Sequence, residues 1–203
     1  MMKLKKWTGL GVILVLILMM VLVGCSQPVP EEVEEPEPAP EEVEEPEPAL
    51  EEVEEHPLTI TGEVVADQVF GLETLQNMTE IQFEGTFFSL NSFGTEEHTH
   101  FKGIKLWPLL DEVVGLSEDS RYVTVVAEDG YQVTFMKEQI QRQDYIDETD
   151  PDVELSIIIA WEENGKAYDP NKGSPYKLVI GQSEPGDVNK PNWVAIIEKI
   201  VVE

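Results

Sequence analysis

Residues 26–56 constrain the fold of this chain most strongly, because an acidic, proline-rich unit repeats through them. The unit at 30–39 recurs unchanged at 40–49 and then decays toward His56. Regular prolines and repulsion between like charges disfavour a packed core and favour an extended chain. We therefore predict a disordered stalk here. An acidic tail that recruits a cationic partner is the alternative interpretation.

The first 24 residues have the layout of a secretory signal. Three lysines precede an apolar run at 12–23, and small residues lead up to Cys25, the only cysteine in the chain. A transmembrane helix is the alternative, but it needs about 20 apolar residues, and this run is shorter. The stretch Leu22-Val23-Gly24-Cys25 resembles the lipobox of bacterial lipoproteins.

The lipobox resemblance implies that Cys25 carries the lipid. Diacylglyceryl and fatty acyl (palmitate) chains on this residue would bind the lipid bilayer stably, since two acyl chains anchor far better than one. We therefore expect a signal peptide at 1–24, a lipidated cysteine and stalk at 25–56, and a folded domain at 57–203. The expected location is the extracytoplasmic face of the cell membrane, or an outer membrane in a cell that has one.

The charge of the folded part excludes one class of partner. The whole chain has a formal net charge of −28, and residues 57–203 hold 10 basic and 27 acidic residues, a net of −17. A surface this acidic repels phosphate backbones, so we expect no nucleic-acid partner. The expected partners are a small molecule or another extracytoplasmic protein.

The 147 residues of the folded part are enough for one domain with a sizeable core. Alternating and continuous apolar runs predict many strands, whereas helical spacing is clear only at 106–114. Residues 94–103 read as polar and irregular. The predicted fold class is a strand-rich mixed α/β domain with few short helices. We expect strands at 58–65, 81–90, 122–127, 132–135, 155–161, 176–180 and 193–202, short helices at 72–78 and 106–114, and turns at Asp129-Gly130 and Asn164-Gly165.

Several short motifs occur in the order found in one known family. They are Phe101-Lys-Gly-Ile-Lys-Leu106, Glu128-Asp-Gly-Tyr131, Ile159-Ala-Trp-Glu-Glu-Asn-Gly165, Lys172-Gly-Ser-Pro-Tyr-Lys-Leu-Val179 and Trp193-Val-Ala-Ile-Ile197. Together they resemble the oxidoreductase molybdopterin-binding domain of the sulfite oxidase family over residues 58–203. The resemblance implies that fold, a molybdopterin cofactor and an oxidoreductase activity.

The departures from the family pattern argue against that activity. The family binds molybdenum through a cysteine thiolate in the stretch matched here by 87–103, which has no cysteine. Serine hydroxyls are harder and much less acidic ligands. The family's phosphate-binding arginine is Lys177 here, without the planar fork, and a family lysine is Asn192, with Lys190 nearby. We expect no bound cofactor, with a molybdopterin at an altered site as the alternative, and name as ligand-binding candidates Ser89, Asn91, Ser92, Tyr131, Lys177, Lys190 and Asn192.

Two histidines suggest a metal site. His98 and His100 would project from the same side of an extended segment, next to Glu96 and Glu97. Two imidazoles and a carboxylate suit zinc or copper, and a solvated polar loop is the alternative. The acidic run at 144–154 lacks the spacing of an EF-hand and reads as an exposed turn.

The sequence therefore favours a membrane-anchored lipoprotein whose domain has no catalytic residues and acts as a binding or redox-accessory module. A molybdopterin-dependent oxidoreductase is the first alternative, and a structural or adhesive surface protein is the second.

Overall fold

A computed structural model describes residues 56–203, which all lie within one compact unit. The expected signal peptide, Cys25 and the expected stalk up to residue 55 lie outside the described residues. Within 56–203, thirteen strands are found: β1 (Leu58–Gly62), β2 (Gln68–Phe70), β3 (Gln82–Leu90), β4 (Glu96–Lys105), β5 (Tyr122–Ala127), β6 (Gln132–Met136), β7 (Tyr145–Asp147), β8 (Asp150–Leu155), β9 (Ile158–Glu163), β10 (Lys166–Ala167), β11 (Lys177–Val179), β12 (Val194–Ala195) and β13 (Ile197–Val202).

Helices are few and short in this part of the chain. They are α1 (Leu72–Gln76), α2 (Leu106–Pro108), which continues as a π-helix at Leu109–Val114, and α3 (Lys137–Gln141), with 3₁₀ turns at Thr79–Ile81, Pro170–Lys172 and Lys190–Asn192. None of the helices at 56–203 has the length and apolar character of a membrane span. The strand-rich mixed α/β fold class is confirmed.

Two larger sheets carry the fold. The first has the order β2-β1-β13-β5-β6, in which β1 and β13 are parallel and the other pairs are antiparallel. The second has the order β12-β11-β9-β4-β3, is antiparallel throughout, and has β10 paired to β9. Strands β7 and β8 form a separate two-stranded hairpin.

One apolar core joins the two sheets. Ile60 and Val125 come from the first sheet, Phe101 and Ile159 from the second, and Leu109 from the π-helix, and all five are fully buried. Gly103 allows β4 and β9 to approach closely at a β-bulge, since a Cβ there would lie 2.2 Å from the carbonyl oxygen of Ile159. A larger residue at 103 would push the two strands apart.

The turn chemistry follows the sequence. Gly130 has a φ of +85°, and the backbone N–H of Tyr131 donates to the Asp129 side chain, which closes the β5–β6 hairpin. Asn164 and Gly165 both have positive φ between β9 and β10, the conformation that favours Asn-Gly in two-residue hairpins.

Four sequence-based expectations about elements were wrong. The expected strand at 193–202 is divided between the two sheets, since β12 ends at Ala195 and β13 begins at Ile197. Residues 94–103 are largely strand β4, because their polar side chains cover the outer face while Thr99 and Phe101 point inward. The acidic run at 144–154 forms the β7–β8 hairpin, and bonds between Ile146 and Gln182 tie it to the chain after β11. The expected strand at 155–161 is divided, since Leu155 ends β8 and β9 begins at Ile158.

Candidate functional site

The segment 173–177 brings Lys177 to the start of β11, between β9 and β12. The register pairs Lys177 with Ala160 on one side and with Ala195 on the other. Side chains of directly paired residues lie on the same face of a sheet. Two small neighbours therefore leave room above the sheet for the lysine side chain, which is half-buried.

Lys177 belongs to a charged network whose centre is Glu163. The Lys177 Nζ lies 2.8 Å from Glu163 Oε2, and the Tyr168 hydroxyl donates to the same oxygen at 2.7 Å. Burial alone would raise the pKa of Glu163, but the hydrogen bonds from Lys177 and Tyr168 and the attraction of the lysine hold it below its usual value. Burial, followed by the bond to Glu163, raises the pKa of Tyr168. Glu163 is therefore an anion at neutral pH, and Tyr168 is a neutral donor.

Aromatic rings surround the two lysines of this region. The Lys177 Nζ lies 5.2 Å from the centre of the Phe101 ring and 5.5 Å from that of Trp193, and the Lys190 Nζ lies 4.1 Å from Trp193. Lys190 also pairs with Glu97 at 3.2 Å. Each lysine thus has a carboxylate of this chain and a ring face as neighbours. We call Lys177, Glu163, Tyr168, Lys190, Glu97 and Trp193 the lysine site.

A cavity of about 370 Å³ opens beside Lys177. Its walls come from the end of β10, the 3₁₀ turn Pro170–Lys172, the segment before β11, and β12. The backbone at Ile196, which lines it, has a φ of +55°, and among the described non-glycine residues only Asn164 shares a positive φ. For a β-branched residue this conformation costs about 1–3 kcal/mol and is most often found at functional sites. The lining residues are Ala167, Tyr168, Asp169, Lys172, Gly173, Ser174, Tyr176, Lys177, Ala195 and Ile196.

Three of the candidates, Ser89, Asn91 and Ser92, lie apart from this cavity's lining, in the β3–β4 hairpin. Ser89 is buried, and its hydroxyl donates to the carbonyl of Glu97 at 3.3 Å. The Asn91 side chain accepts the backbone N–H groups of Phe93 and Thr95, both at 2.9 Å, and Ser92 is exposed in the turn. Ser89 and Asn91 are thus engaged in holding the hairpin together.

The remaining candidates lie in or near the segment before β12. Lys190 and Asn192 are the first and last residues of the 3₁₀ turn Lys190–Asn192. The Tyr131 hydroxyl donates to the carbonyl of Pro191 within this turn. Of the seven ligand-binding candidates, Lys177 alone lines the cavity beside β11 in the described part of the chain.

Sequence reasoning missed Asn189, which is fully buried. Its side chain accepts from the backbone of Leu90 at 2.9 Å and donates to the carbonyls of Phe88 at 2.9 Å and Ile180 at 3.0 Å. It therefore ties β3 to the chain that leads into the lysine site. A polar residue between Val188 and Lys190 gives no sequence signal of such burial.

His98 and His100 do share one face, as the sequence predicted, because β4 is extended. Each imidazole has its own carboxylate: His98 Nε2 lies 3.3 Å from Asp147 Oδ2, and His100 Nε2 lies 3.2 Å from Glu84 Oε1. Thr149 donates its hydroxyl to Asp147 at 2.6 Å and lies 2.9 Å from His98 Nε2. Among residues 56–203, no three His, Cys, Asp or Glu side chains converge as a metal site. We call the five residues His98, His100, Glu84, Asp147 and Thr149 the histidine groove.

Comparisons with known proteins agree on the fold. The family model described as "Oxidoreductase molybdopterin binding domain" matches residues 44–198. Among solved structures, the sulfane dehydrogenase SoxCD from Paracoccus pantotrophus is similar, with a TM-score of 0.53 and 18% sequence identity over 72% of this chain. The match covers 37% of the SoxCD chain, so this protein spans a little over a third of it. None of the curated proteins matches the sequence.

The residues of the lysine site do not fit a molybdopterin cofactor bound through a thiolate. The described residues contain no cysteine, and the hydroxyl of buried Ser89 is engaged within the hairpin. Lys177 and Lys190, which would meet an anionic phosphate, are each neutralised by a carboxylate of the chain itself. An anion would therefore compete with Glu163 and Glu97 for those cations inside an acidic domain.

Proposed function

This chain belongs to the oxidoreductase molybdopterin-binding domain family, and we propose that it has kept the fold of that family as a binding module without molybdenum chemistry. The module is displayed at the extracytoplasmic face of the cell membrane and binds a small molecule or serves a redox system as an accessory protein. It has no catalytic residues of its own.

The observation that carries this proposal is the pairing of Lys177 with Glu163. A half-buried lysine that is to bind an anionic ligand needs to be free of a competing anion. Here a carboxylate with a lowered pKa lies 2.8 Å away and accepts a second hydrogen bond from Tyr168. The charge that a phosphate group would supply is therefore already present in the polypeptide.

The chain's only cysteine supports the same proposal from a different direction. Cys25 follows an apolar run and has the sequence context of a lipid attachment site. A lipidated thioether is no longer a thiolate, which is the form that ligates metals. Anchoring through Cys25 thus accounts for the location and leaves the domain without a soft anionic ligand.

The cavity beside Lys177 favours binding over a purely structural or adhesive role. Its volume of about 370 Å³ lies at the lower end of the range for small-molecule sites, and its walls combine apolar surface with a few polar groups. An adhesive surface protein has no need of such a cavity. Family membership favours the other alternative, a molybdopterin-dependent oxidoreductase. The pairing of Lys177 with Glu163 argues against it.

Electron flow tests the proposal. Membranes that contain the protein, prepared from a host that makes molybdopterin, are assayed for dye reduction with sulfite and for dye oxidation with sulfoxides. We expect rates equal to those of the same membranes without the protein, because no thiolate can hold the metal. Sulfite- or sulfoxide-dependent electron flow that requires the protein would contradict the proposal.

Anchoring is tested by labelling cells with a radioactive fatty acid. We expect the wild-type chain to incorporate label and Cys25→Ala to incorporate none and to retain its signal peptide, since no other residue in the chain can form the thioether. A Ser26→Ala variant serves as a control. Equal labelling of Cys25→Ala and wild type would rule out lipid attachment at this residue.

A further inference from the structure

The cavity beside Lys177 is largely apolar at its walls. Ala167 and Ala195 contribute small side chains from two strands, and the side chain of Ile196 packs on Gly173, where an added Cβ would lie 2.9 Å from Ile196 Cγ2. Tyr176, which also lines the cavity, is buried. Walls of this kind bury the body of a small apolar molecule, which is the main favourable term in binding.

The charged groups around the cavity cancel in pairs. Lys177 pairs with Glu163 at 2.8 Å, and Lys172 pairs with Asp169 at 3.4 Å. An anionic ligand gains little from lysines that already have partners, and the net charge of −17 on residues 57–203 repels it. A cationic ligand gains little either, because Glu163 and Asp169 already pair with these lysines. An uncharged ligand does not have to compete with either ion pair.

The Lys177 ammonium, which belongs to a residue that lines the cavity, can donate more hydrogen bonds than the one it makes to Glu163. A lysine ammonium has three protons, and in the described part of the chain the Lys177 ammonium has one hydrogen-bond acceptor, Glu163. Its remaining close neighbours are the faces of Phe101 and Trp193. A ligand oxygen that entered the cavity beside Lys177 would accept a charge-assisted hydrogen bond there.

We propose that this cavity binds a small uncharged molecule with an apolar body and a carbonyl-type acceptor, which Lys177 recognises. The inference rests on the proposed binding function and gives it a ligand class. That class differs from the anionic cofactor that the family resemblance implies.

Three probes of similar size separate the features of this ligand class. Benzamide is uncharged and has a carbonyl acceptor, benzoate has the same shape with a negative charge, and toluene lacks the acceptor. Binding is followed by backbone amide NMR signals of the ¹⁵N-labelled full-length protein in lipid nanodiscs, with the free concentration of each probe measured. We expect benzamide to shift the signals of Gly173, Lys177 and Ala195 saturably, and benzoate and toluene to bind at least about tenfold more weakly.

A matched pair of variants locates the binding. Ala195→Phe fills the cavity from an exposed strand position, whereas Ala66→Phe adds the same ring at an exposed position outside the cavity lining. We expect Ala195→Phe to abolish the benzamide shifts and Ala66→Phe to retain them. Both variants should keep the remaining wild-type signals, which shows that the domain is folded.

Each outcome has one meaning. Benzoate binding as tight as benzamide binding would overturn the uncharged ligand class and leave the binding function standing. Toluene binding as tight as benzamide binding would overturn recognition by Lys177. A folded wild-type protein that binds none of the probes, or whose shifts survive Ala195→Phe, would overturn the cavity as the site. Failure of the proposed function itself would show separately, as electron flow in the membrane assay.

Discussion

The lysine site and the histidine groove both place a basic side chain against a carboxylate on the second sheet and its neighbouring hairpin, but the basic side chains differ in burial. Lys177 is 18% exposed and lies against aromatic rings, whereas His98 and His100 are 48% and 43% exposed. Charges that are removed from water interact more strongly and cost more to separate. We therefore expect the Lys177–Glu163 pair to contribute more to the stability of the fold than the carboxylate contacts of His98 and His100.

The largest effect on stability is expected next to the lysine site, from Asn189→Ala. This change removes the link between β3 and the chain that carries Lys190. Three hydrogen bonds of a fully buried side chain would be lost. We expect the free energy of unfolding, measured by urea denaturation, to fall by about 2–3 kcal/mol. The control is Asn171→Ala at an exposed position, expected to cost less than about 0.5 kcal/mol. Equal effects of the two would show that Asn189 is not the link described here.

A smaller effect is expected from Glu163→Gln, which leaves Lys177 half-buried without its counter-charge. We expect a loss of about 1 kcal/mol at pH 7, well below the cost of breaking a fully buried pair because solvent screens both groups in part. Glu162→Gln, the same change one residue earlier on β9, is the matched control and should change stability little.

The pH dependence of unfolding sharpens the same test. The pKa of Glu163 is lowered in the folded state, so its contribution to stability is full above its unfolded pKa and is lost as the pH falls through the folded value. We expect the unfolding free energy of the wild type to fall more steeply than that of Glu163→Gln as the pH drops from about 5 to 3. Parallel curves for the two proteins would contradict the lowered pKa.

The smallest effect is expected in the histidine groove. His98→Ala combined with His100→Ala should cost less than about 1 kcal/mol, because both imidazoles are exposed to solvent. The proposal that these residues bind zinc or copper predicts that the same double variant lowers the metal content of the purified protein. A wild-type protein that holds neither metal when purified without chelators would rule that proposal out.

Much of the fold could be predicted from local sequence signals. The Asp129-Gly130 turn between two apolar runs defined the β5–β6 hairpin, since the turn residues and the alternation agree. Strand β4 could not be predicted in the same way. Its outer face carries Glu96, His98, His100 and Lys102, and only pairing with β3 and β9 fixes it as a strand.

The candidate site was predicted only in part. Lys177 could be identified from its motif, and the structure places it beside a cavity. Its pairing with Glu163 joins residues 14 positions apart on neighbouring strands, and such a contact depends on register that the sequence alone does not reveal. The burial of Asn189 likewise depends on tertiary packing.

The central claim is that the carboxylates of this chain replace the anionic cofactor of its family. Molybdenum and pterin content of the full-length protein, purified natively from a host that makes molybdopterin, tests this claim most directly. We predict that both are far below one per chain, in the wild type and in Glu162→Gln alike. Molybdenum and pterin at close to one per chain would contradict it.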